Sequence, residues 1–82
     1  MKRKYYVVKK GRTKGLYDSW SVCENEIAGY RGAKFKGYTS LSEAIDDAIM
    51  EVDEGYGYVI NLNDKKEYFK TYQEFVEALY RV

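Results

Sequence analysis

The sequence contains no histidine and only one cysteine, Cys23. Without histidine there is no Ser-His or Cys-His nucleophilic system, and a lone cysteine leaves no zinc site. One cysteine also excludes an internal disulfide, which favours a reducing, intracellular compartment. A P-loop is missing too, because GRTKG lacks its length and its terminal Lys-Ser/Thr pair. These absences predict a protein that is not an enzyme and that holds no metal or other cofactor.

Long hydrophobic runs are absent as well. The opening residues, MKRKYYVVKKGR, are too charged for a signal peptide, and their apolar run is too short. No apolar stretch approaches the length of a membrane-spanning helix. We therefore expect the 82 residues to form one small domain, or one and a half very small ones, with a thin core, and we expect the protein to be soluble and cytoplasmic.

The charges are unevenly distributed along the chain. Residues 1–36 carry ten Lys/Arg against three Asp/Glu, a net charge of +7, whereas residues 37–82 carry a net charge of −6. The overall charge of +1 hides this asymmetry. Because salt screens charges beyond roughly 10 Å, the local basic block matters more than the average, and it favours a polyanionic partner.

Residue patterns predict ββα in the first thirty residues. KYYVVK (residues 4–9) is typical of a strand, GRTKG of a short hairpin loop, and LYD of the returning strand. Either Ser19 or Ser21 would cap the following helix, and Ser21 with Glu24 has the capping-box spacing. The apolar stripe of this helix ends near a glycine and consists of Cys23, Ile27 and Tyr30. We expect Cys23 to be a small buried hydrophobic residue.

The remaining residues predict βα followed by ββα. RGAKFKGY indicates a turn and a third strand, with Phe35 on the opposite side from its two lysine neighbours. Ser40 with Glu43 and Thr71 with Glu74 form capping boxes for two further helices. The stripe of the first is Leu41, Ala44, Ile45, Ala48, Ile49 and Val52, and that of the second is Tyr72, Phe75, Val76, Leu79 and Tyr80. Between them, GYGYVINLNDKKEYF indicates a hairpin with an Asn-Asp turn. The order is α+β.

The ten tyrosines allow two interpretations. A thin core can use the tyrosine ring while the hydroxyl reaches water. Alternatively, aromatic residues beside lysine and arginine stack on sugars or bases while the cations meet phosphates. Composition alone does not separate these two readings.

The order of the residues is more specific than their composition. The segment YYVVKKGRTKGLYDSWSVCENEIAGYRGAKFKGYTSLSEA resembles the small N-terminal hybrid-binding domain of type 1 ribonucleases H, a module also found in the viroplasmin proteins of caulimoviruses. The motifs Y-x-V, G-R-x-x-G, S-W-x-x-C, A-K-F-K and S-x-x-E-A occur in the family's order and spacing. The resemblance covers about residues 4–50.

The resemblance implies a three-stranded antiparallel sheet packed on two short helices, which agrees with the ββαβα order read from the residues. We therefore expect a hybrid-binding domain over residues 1–54. A ββα extension over residues 55–82 resembles no family. We expect it to extend the sheet, to pack on the helices of the first domain, or to contact a partner protein.

The resemblance also implies a nucleic-acid site. In the family, a tyrosine, a tryptophan, a phenylalanine and an adjacent lysine meet the DNA strand of an RNA/DNA hybrid, and these correspond to Tyr6, Trp20, Phe35 and Lys36. Backbone groups of the turn before the third strand recognise the RNA strand, here from Gly29 through Gly32 to Lys34. The family often has a second lysine where this chain has Gly37. Other cations that could compensate for its loss are Lys34, Lys9, Lys10, Arg12 and Lys14.

The leading hypothesis is a non-catalytic module that binds RNA/DNA hybrid or double-stranded RNA in the minor groove without sequence preference. The alternative is a protein-interaction or dimerisation module whose nucleic-acid surface has drifted, and Gly37 and the acidic second half favour it. No metal and no membrane is expected in either case.

Overall fold

The computed structural model describes residues 4–52 and 56–82. Its elements, in chain order, are β1 (Tyr5–Lys10), β2 (Lys14–Tyr17), α1 (Trp20–Ile27), β3 (Lys34–Tyr38), α2 (Leu41–Glu51), β4 (Tyr56–Leu62), β5 (Lys65–Thr71) and α3 (Tyr72–Arg81). The predicted order, ββαβα followed by ββα, is confirmed. None of the described helices has the length and apolarity needed to cross a membrane.

All five strands form one mixed sheet in the order β3-β1-β2-β4-β5. β1 runs antiparallel to both β2 and β3, and β5 runs antiparallel to β4, but β4 runs parallel to β2. The predicted three-stranded antiparallel sheet was therefore too small, whereas the expectation that the extension could continue the sheet is confirmed. Apolar periodicity identifies a strand without identifying its partner, and β2 acquires its second neighbour from the far end of the chain.

Gly15 makes the parallel pairing possible. It has φ of +150°, and a Cβ at this position would lie 1.8 Å from the carbonyl oxygen of its partner Val59. Only a residue without a side chain allows the two backbones to approach this closely.

Helices cover both faces of the sheet. Val7 and Val8 are adjacent in β1, point to opposite faces and are both fully buried. Val7 belongs to a cluster with residues of β2, β4, α2 and α3, and Val8 belongs to a second cluster beneath α1 with Tyr17, Cys23 and Val59. We refer to these sides as the α2/α3 face and the α1 face. The expected burial of Cys23 is confirmed.

Two of the three predicted capping boxes are confirmed. The side chains of Ser40 and Thr71 accept hydrogen bonds from the backbone N–H groups of Glu43 and Glu74. Of the two serines predicted as alternative caps of α1, Ser19 is the N-cap, although its side chain makes no capping hydrogen bond. The Ser21–Glu24 capping box is therefore wrong, because the helix begins two residues before that box requires. The predicted stripes also extended too far: Tyr30 lies beyond α1, and Tyr80 is 73% exposed.

The second half of the chain shares a core with the first. Tyr58 of β4 stacks on Phe75 of α3, with ring centroids 5.0 Å apart, in the same cluster as Val7 and Leu16. The predicted boundary between residues 54 and 55 lies outside the described residues, so the division into domains stays a prediction.

Candidate nucleic-acid interface

Three aromatic residues from three different elements meet on the α1 face. Tyr6 lies in β1, Trp20 is the first residue of α1, and Phe35 lies in β3. The Trp20 ring centroid is 5.3 Å from that of Tyr6 and 5.5 Å from that of Phe35, with tilted ring planes. We call these three residues the aromatic cluster. The structure thus brings together three residues for which the family resemblance implied a common site.

The aromatic cluster is open to solvent. Trp20 is 42% exposed and Phe35 is 44% exposed, and neither belongs to the buried clusters of the sheet. Soluble proteins seldom leave contiguous large aromatic rings uncovered unless the patch binds something. Tyr6 is half-buried against the core beneath α1 and forms the base of the surface.

A depression of about 420 Å³ lies beside these rings and is lined by Lys4, Tyr6, Trp20, Phe35 and Gly37. Gly37 is paired with Tyr6, so a side chain at this position would project on the same face. The side chain of Lys4 already lies in that space. A Cβ on Gly37 would lie 3.0 Å from Cε and 3.6 Å from Nζ of Lys4. The ammonium of Lys4 therefore lies where the resemblance led us to expect a second lysine, and sequence reasoning missed it because β1 and β3 are distant in sequence.

Lys36 is not part of the aromatic cluster. It follows Phe35 in β3 and is paired with Val7, so it leaves the sheet on the α2/α3 side. Its Nζ lies 5.2 Å from the ring centroid of Tyr38. Because β3 is the edge strand, an exposed lysine on either side of it borders the same rim of the sheet. Its predicted phosphate contact stays a prediction.

The turn before β3 is exposed and contains two glycines in the left-handed region. Gly29 has φ of +70° and Gly32 has φ of +76°. Two backbone hydrogen bonds shape it, from Tyr30 N–H to the Ile27 carbonyl (3.0 Å) and from Ala33 N–H to the Tyr30 carbonyl (3.2 Å). Lys10 lies alongside, with its Nζ 3.6 Å from the position of a Cβ on Gly32. Lys34 is paired with Lys10 across the strands, so both predicted cations border this turn.

Arg12 has a structural role that the sequence did not reveal. Its guanidinium donates hydrogen bonds to the carbonyls of Asn25 (3.2 Å) and Ala28 (2.6 Å), and its backbone N–H donates to Glu26 (2.9 Å). These carbonyls belong to the C-terminal end of α1, where a cation also complements the helix dipole. Arg12 thereby anchors the turn that begins at Gly29.

The helices of the α2/α3 face carry six of the thirteen acidic residues, and one of these six is linked to the sheet. Lys9 of β1 pairs with Asp47 of α2 at 3.3 Å. Lys9 was one of the cations that could have compensated for Gly37, and the structure assigns it this ion pair instead. In residues 4–52 and 56–82, no group of three or more acidic or cysteine side chains could hold a metal ion.

Comparison with known proteins identifies relatives of the first half. The sequence model of the Ribonuclease H1 N-terminal domain matches residues 4–46. The chain is 43% identical over 44 residues to a ribonuclease H of Crithidia fasciculata, covering 54% of this chain and 9% of that protein. It is 42% identical over 40 residues to a ribonuclease H of Saccharomyces cerevisiae, covering 49% and 12% respectively. A ribonuclease H of Schizosaccharomyces pombe is 37% identical over 43 residues, covering 52% and 16%. The matches thus span only a small part of these relatives, and no solved structure matches the chain.

Proposed function

The chain belongs to the Ribonuclease H1 N-terminal domain family, and on that premise we propose that it is a non-catalytic module that binds RNA/DNA hybrid or double-stranded RNA. The observation that supports this most strongly is the exposed aromatic cluster. Its rings come from a strand, a helix start and an edge strand, and they meet on one surface beside a lysine. The core does not require Trp20 or Phe35.

In this proposal the protein contacts the wide, shallow minor groove of an A-like duplex. The rings of the aromatic cluster lie against deoxyribose, where a 2′-hydroxyl would clash and lose its hydration. The exposed turn from Gly29 to Lys34 presents backbone groups to the 2′-hydroxyls of the other strand. A protein that makes both contacts prefers a hybrid to either pure duplex.

Lys4 supplies the phosphate contact that Gly37 lacks. Its ammonium lies beside the aromatic cluster, at the position that a side chain at residue 37 would occupy. We propose that Lys4 takes the place of the family's second lysine. A cation is thereby retained, and the missing side chain at Gly37 leaves the depression next to Tyr6 open. Lys36 and Lys10 add charge along the same edge of the sheet.

The test is a set of binding titrations with hybrid, double-stranded RNA and double-stranded DNA of the same sequence at two salt concentrations. We expect hybrid to bind more tightly than double-stranded RNA, and double-stranded RNA to bind more tightly than double-stranded DNA. Each phosphate contact contributes about 0.9 to the slope of log K against log[salt]. Equal, negligible binding to all three duplexes would refute the proposal.

One observation favours the alternative, a protein-interaction module. A groove of about 360 Å³ lies between β5 and α3, and its apolar walls include Ile60, Leu62, Phe69 and Ala78. A stable homodimer whose formation masks this groove, together with no duplex binding, would support that function. The solution mass measured alongside the titrations separates the two.

A further inference from the structure

The second half of the chain concentrates its positive charge on one strand. Residues 37–82 contain four basic residues, and three of these, Lys65, Lys66 and Lys70, lie in β5. β5 is an edge strand of the sheet, opposite the edge formed by β3. The family match ends at residue 46 and does not include β5.

Alternation along β5 divides these lysines between the two faces. Lys66, Tyr68 and Lys70 share one face, and Lys65 points to the other. The pairing of Tyr68 with Val59, and of Lys66 with Asn61, places the first group on the α1 face. We call Lys66, Tyr68 and Lys70 the β5 stripe.

The register places the β5 stripe in line with the aromatic cluster. One row of paired residues crosses the whole sheet, in the order Phe35, Val8, Gly15, Val59 and Tyr68. Four strand spacings separate its ends, which is roughly 19 Å. α1 covers the middle of this row, because Val8 and Val59 are both fully buried beneath it. The α1 face therefore carries an exposed aromatic ring and lysines at each of its two edges.

The β5 stripe has the components of a site for single-stranded nucleic acid. Tyr68 is 68% exposed, and the Nζ of Lys66 lies 5.2 Å from its ring centroid. A depression of about 370 Å³ lies beside the ring and is lined by Gly57, Tyr68, Phe69, Lys70 and Thr71. A Cβ on Gly57 would meet no atom within 4 Å, so the backbone leaves space next to the ring. An aromatic face flanked by cations binds unpaired bases and their phosphates without reading sequence.

The distribution of acidic residues agrees with this assignment. The helical carboxylates of the second half lie on α2 and α3, behind the sheet: Glu43, Asp46, Asp47, Glu51, Glu74 and Glu77. On the α1 face, Glu24 and Glu26 belong to α1 itself, between the aromatic cluster and the β5 stripe. Negative charge on this ridge opposes one continuous phosphate backbone across the face, which favours two separate contacts.

Lysines on an edge strand also prevent pairing with another sheet. That role explains cations on β5, but it does not require an exposed tyrosine between two of them. Protection of the edge would also make Lys65 equivalent to Lys66, whereas a nucleic-acid site on the α1 face would not.

We propose that the β5 stripe is a second nucleic-acid site, which binds a single strand adjoining the duplex held by the aromatic cluster. A base stacks on Tyr68 within the depression, and Lys66 and Lys70 contact the phosphates on either side. The existence of an adjoining duplex rests on the proposed function, whereas binding of a single strand by Tyr68 does not.

The experiment titrates the whole chain with a single strand of about 12 nucleotides, a blunt hybrid, and the same hybrid with a single-stranded overhang. We expect Tyr68→Ala to weaken single-strand binding by about fivefold or more, and to remove the gain in affinity that the overhang gives. Lys66→Ala and Lys70→Ala should each lower the single-strand salt slope by about 0.7. Lys65→Ala, one residue away on the other face, and Tyr80→Ala, an exposed tyrosine of α3, are the matched controls and should change neither value.

Failure of this site and failure of the proposed function give different results. Single-strand binding that depends on Tyr68, without binding of the blunt hybrid, supports the site and refutes the proposed function. Hybrid binding without single-strand binding refutes the site alone. Equal effects of Lys65→Ala and Lys66→Ala would also refute it. A dimer that Tyr68→Ala dissociates, with unchanged oligonucleotide affinity, would assign the β5 stripe to protein contact instead.

Discussion

The carboxylate of Asp18 accepts a hydrogen bond from the backbone N–H of Asn63 at 2.8 Å. The two residues are 45 positions apart in the sequence. Asp18 follows β2, and Asn63 begins the β4–β5 turn, where both central residues have positive φ. A second bond, from the Asp18 N–H to the Asn61 carbonyl at 3.1 Å, runs beside it. Together they fasten the end of the first hairpin to the last one.

Asp18→Ala should lower the free energy of unfolding by about 1 kcal/mol, because an exposed turn loses a charged acceptor. Urea denaturation followed by circular dichroism measures this change. Asp46→Ala, which removes an exposed carboxylate from α2, serves as the control and should not destabilise the protein. An unchanged midpoint for Asp18→Ala would show that the Asn63 contact adds nothing to stability.

Gly15→Ala should be far more damaging. The new Cβ would lie 1.8 Å from the Val59 carbonyl oxygen, at a φ of +150° that alanine rarely adopts. β2 and β4 cannot both stay in place, so we expect a loss of about 3 kcal/mol or more in unfolding free energy. Thermal unfolding measures it. Gly32→Ala, at φ of +76° and with a Cβ that would meet only the flexible Lys10 side chain at 3.6 Å, provides a control with backbone strain but without the clash and should lose about 1 kcal/mol.

Trp20→Ala should weaken binding to the hybrid by about 1–3 kcal/mol if its ring stacks as proposed. Trp20→Phe should retain most of the affinity, because a flat apolar ring remains between Tyr6 and Phe35. A hybrid titration together with a melting curve separates lost contact from lost fold. A folded Trp20→Ala variant with wild-type affinity would remove this residue from the site.

The proposal that Lys4 replaces a lysine at position 37 can be tested by moving the positive charge from residue 4 to residue 37. Lys4→Ala should lower the hybrid salt slope by about 0.9, the contribution of one phosphate contact. The double variant Lys4→Ala/Gly37→Lys should restore that slope, because the new lysine enters the space that Lys4 vacates. Lys65→Ala on the opposite edge of the sheet is the matched control. Failure of the double variant to recover, with the fold intact, would contradict the equivalence of the two positions.

Cys23 should be unreactive in the folded protein. Burial, with a smaller effect from the Glu26 carboxylate, raises the pKa of the Cys23 thiol from 9.0 to about 11. The folded state favours the protonated thiol more strongly than the unfolded state does. The protonated thiol therefore contributes fully to the free energy of unfolding below about pH 9, and this contribution is lost as the pH rises towards 11. Burial also raises the pKa of Tyr17 in the same cluster, so the two effects add.

We therefore expect slow reaction of Cys23 with a thiol reagent at pH 8 and fast reaction after unfolding in urea. The unfolding free energy should fall more steeply between pH 9 and 10.5 in the wild type than in Cys23→Ala. Rapid labelling of the native protein would contradict the burial of the thiol.

The local elements were predictable because their causes are local. The caps at Ser40 and Thr71 and the Asn63-Asp64 turn follow from spacing and turn chemistry within a few residues. The predicted Ser21–Glu24 capping box was wrong because Ser19 and Ser21 could each begin the same helix. The spacing to a glutamate does not decide which of the two serines is the N-cap. Tyr80 lies at a stripe position, but its ring is mostly exposed in the structure, because periodicity gives the side of a helix and not how far the neighbouring sheet extends.

The long-range features were not predictable. No pattern in the sequence indicates that β2 pairs in parallel with β4. No pattern indicates that the Lys4 side chain lies beside Gly37 either. The basic loop GRTKG illustrates the difference between what a local pattern suggests and what long-range contacts add. It suggested attraction to phosphate, which stays a prediction, and the structure adds two roles: Arg12 caps α1 and Gly15 admits a neighbouring strand. The resemblance to a family located the aromatic cluster because it is an ordered set of residues, whereas charge alone could not place the cations.

β4 is synthesised long after β2, and this order has a consequence for the growing chain on the ribosome. Gly15 and Val59 are paired although they are 44 positions apart, so one edge of β2 stays unpaired until β4 has been synthesised. Pairings that close such long loops form slowly. The residues that bring Tyr6, Trp20 and Phe35 together all emerge earlier, before residue 39. We expect a nascent chain to expose an unpaired strand and an aromatic surface at the same time, and to be most prone to aggregation during that interval.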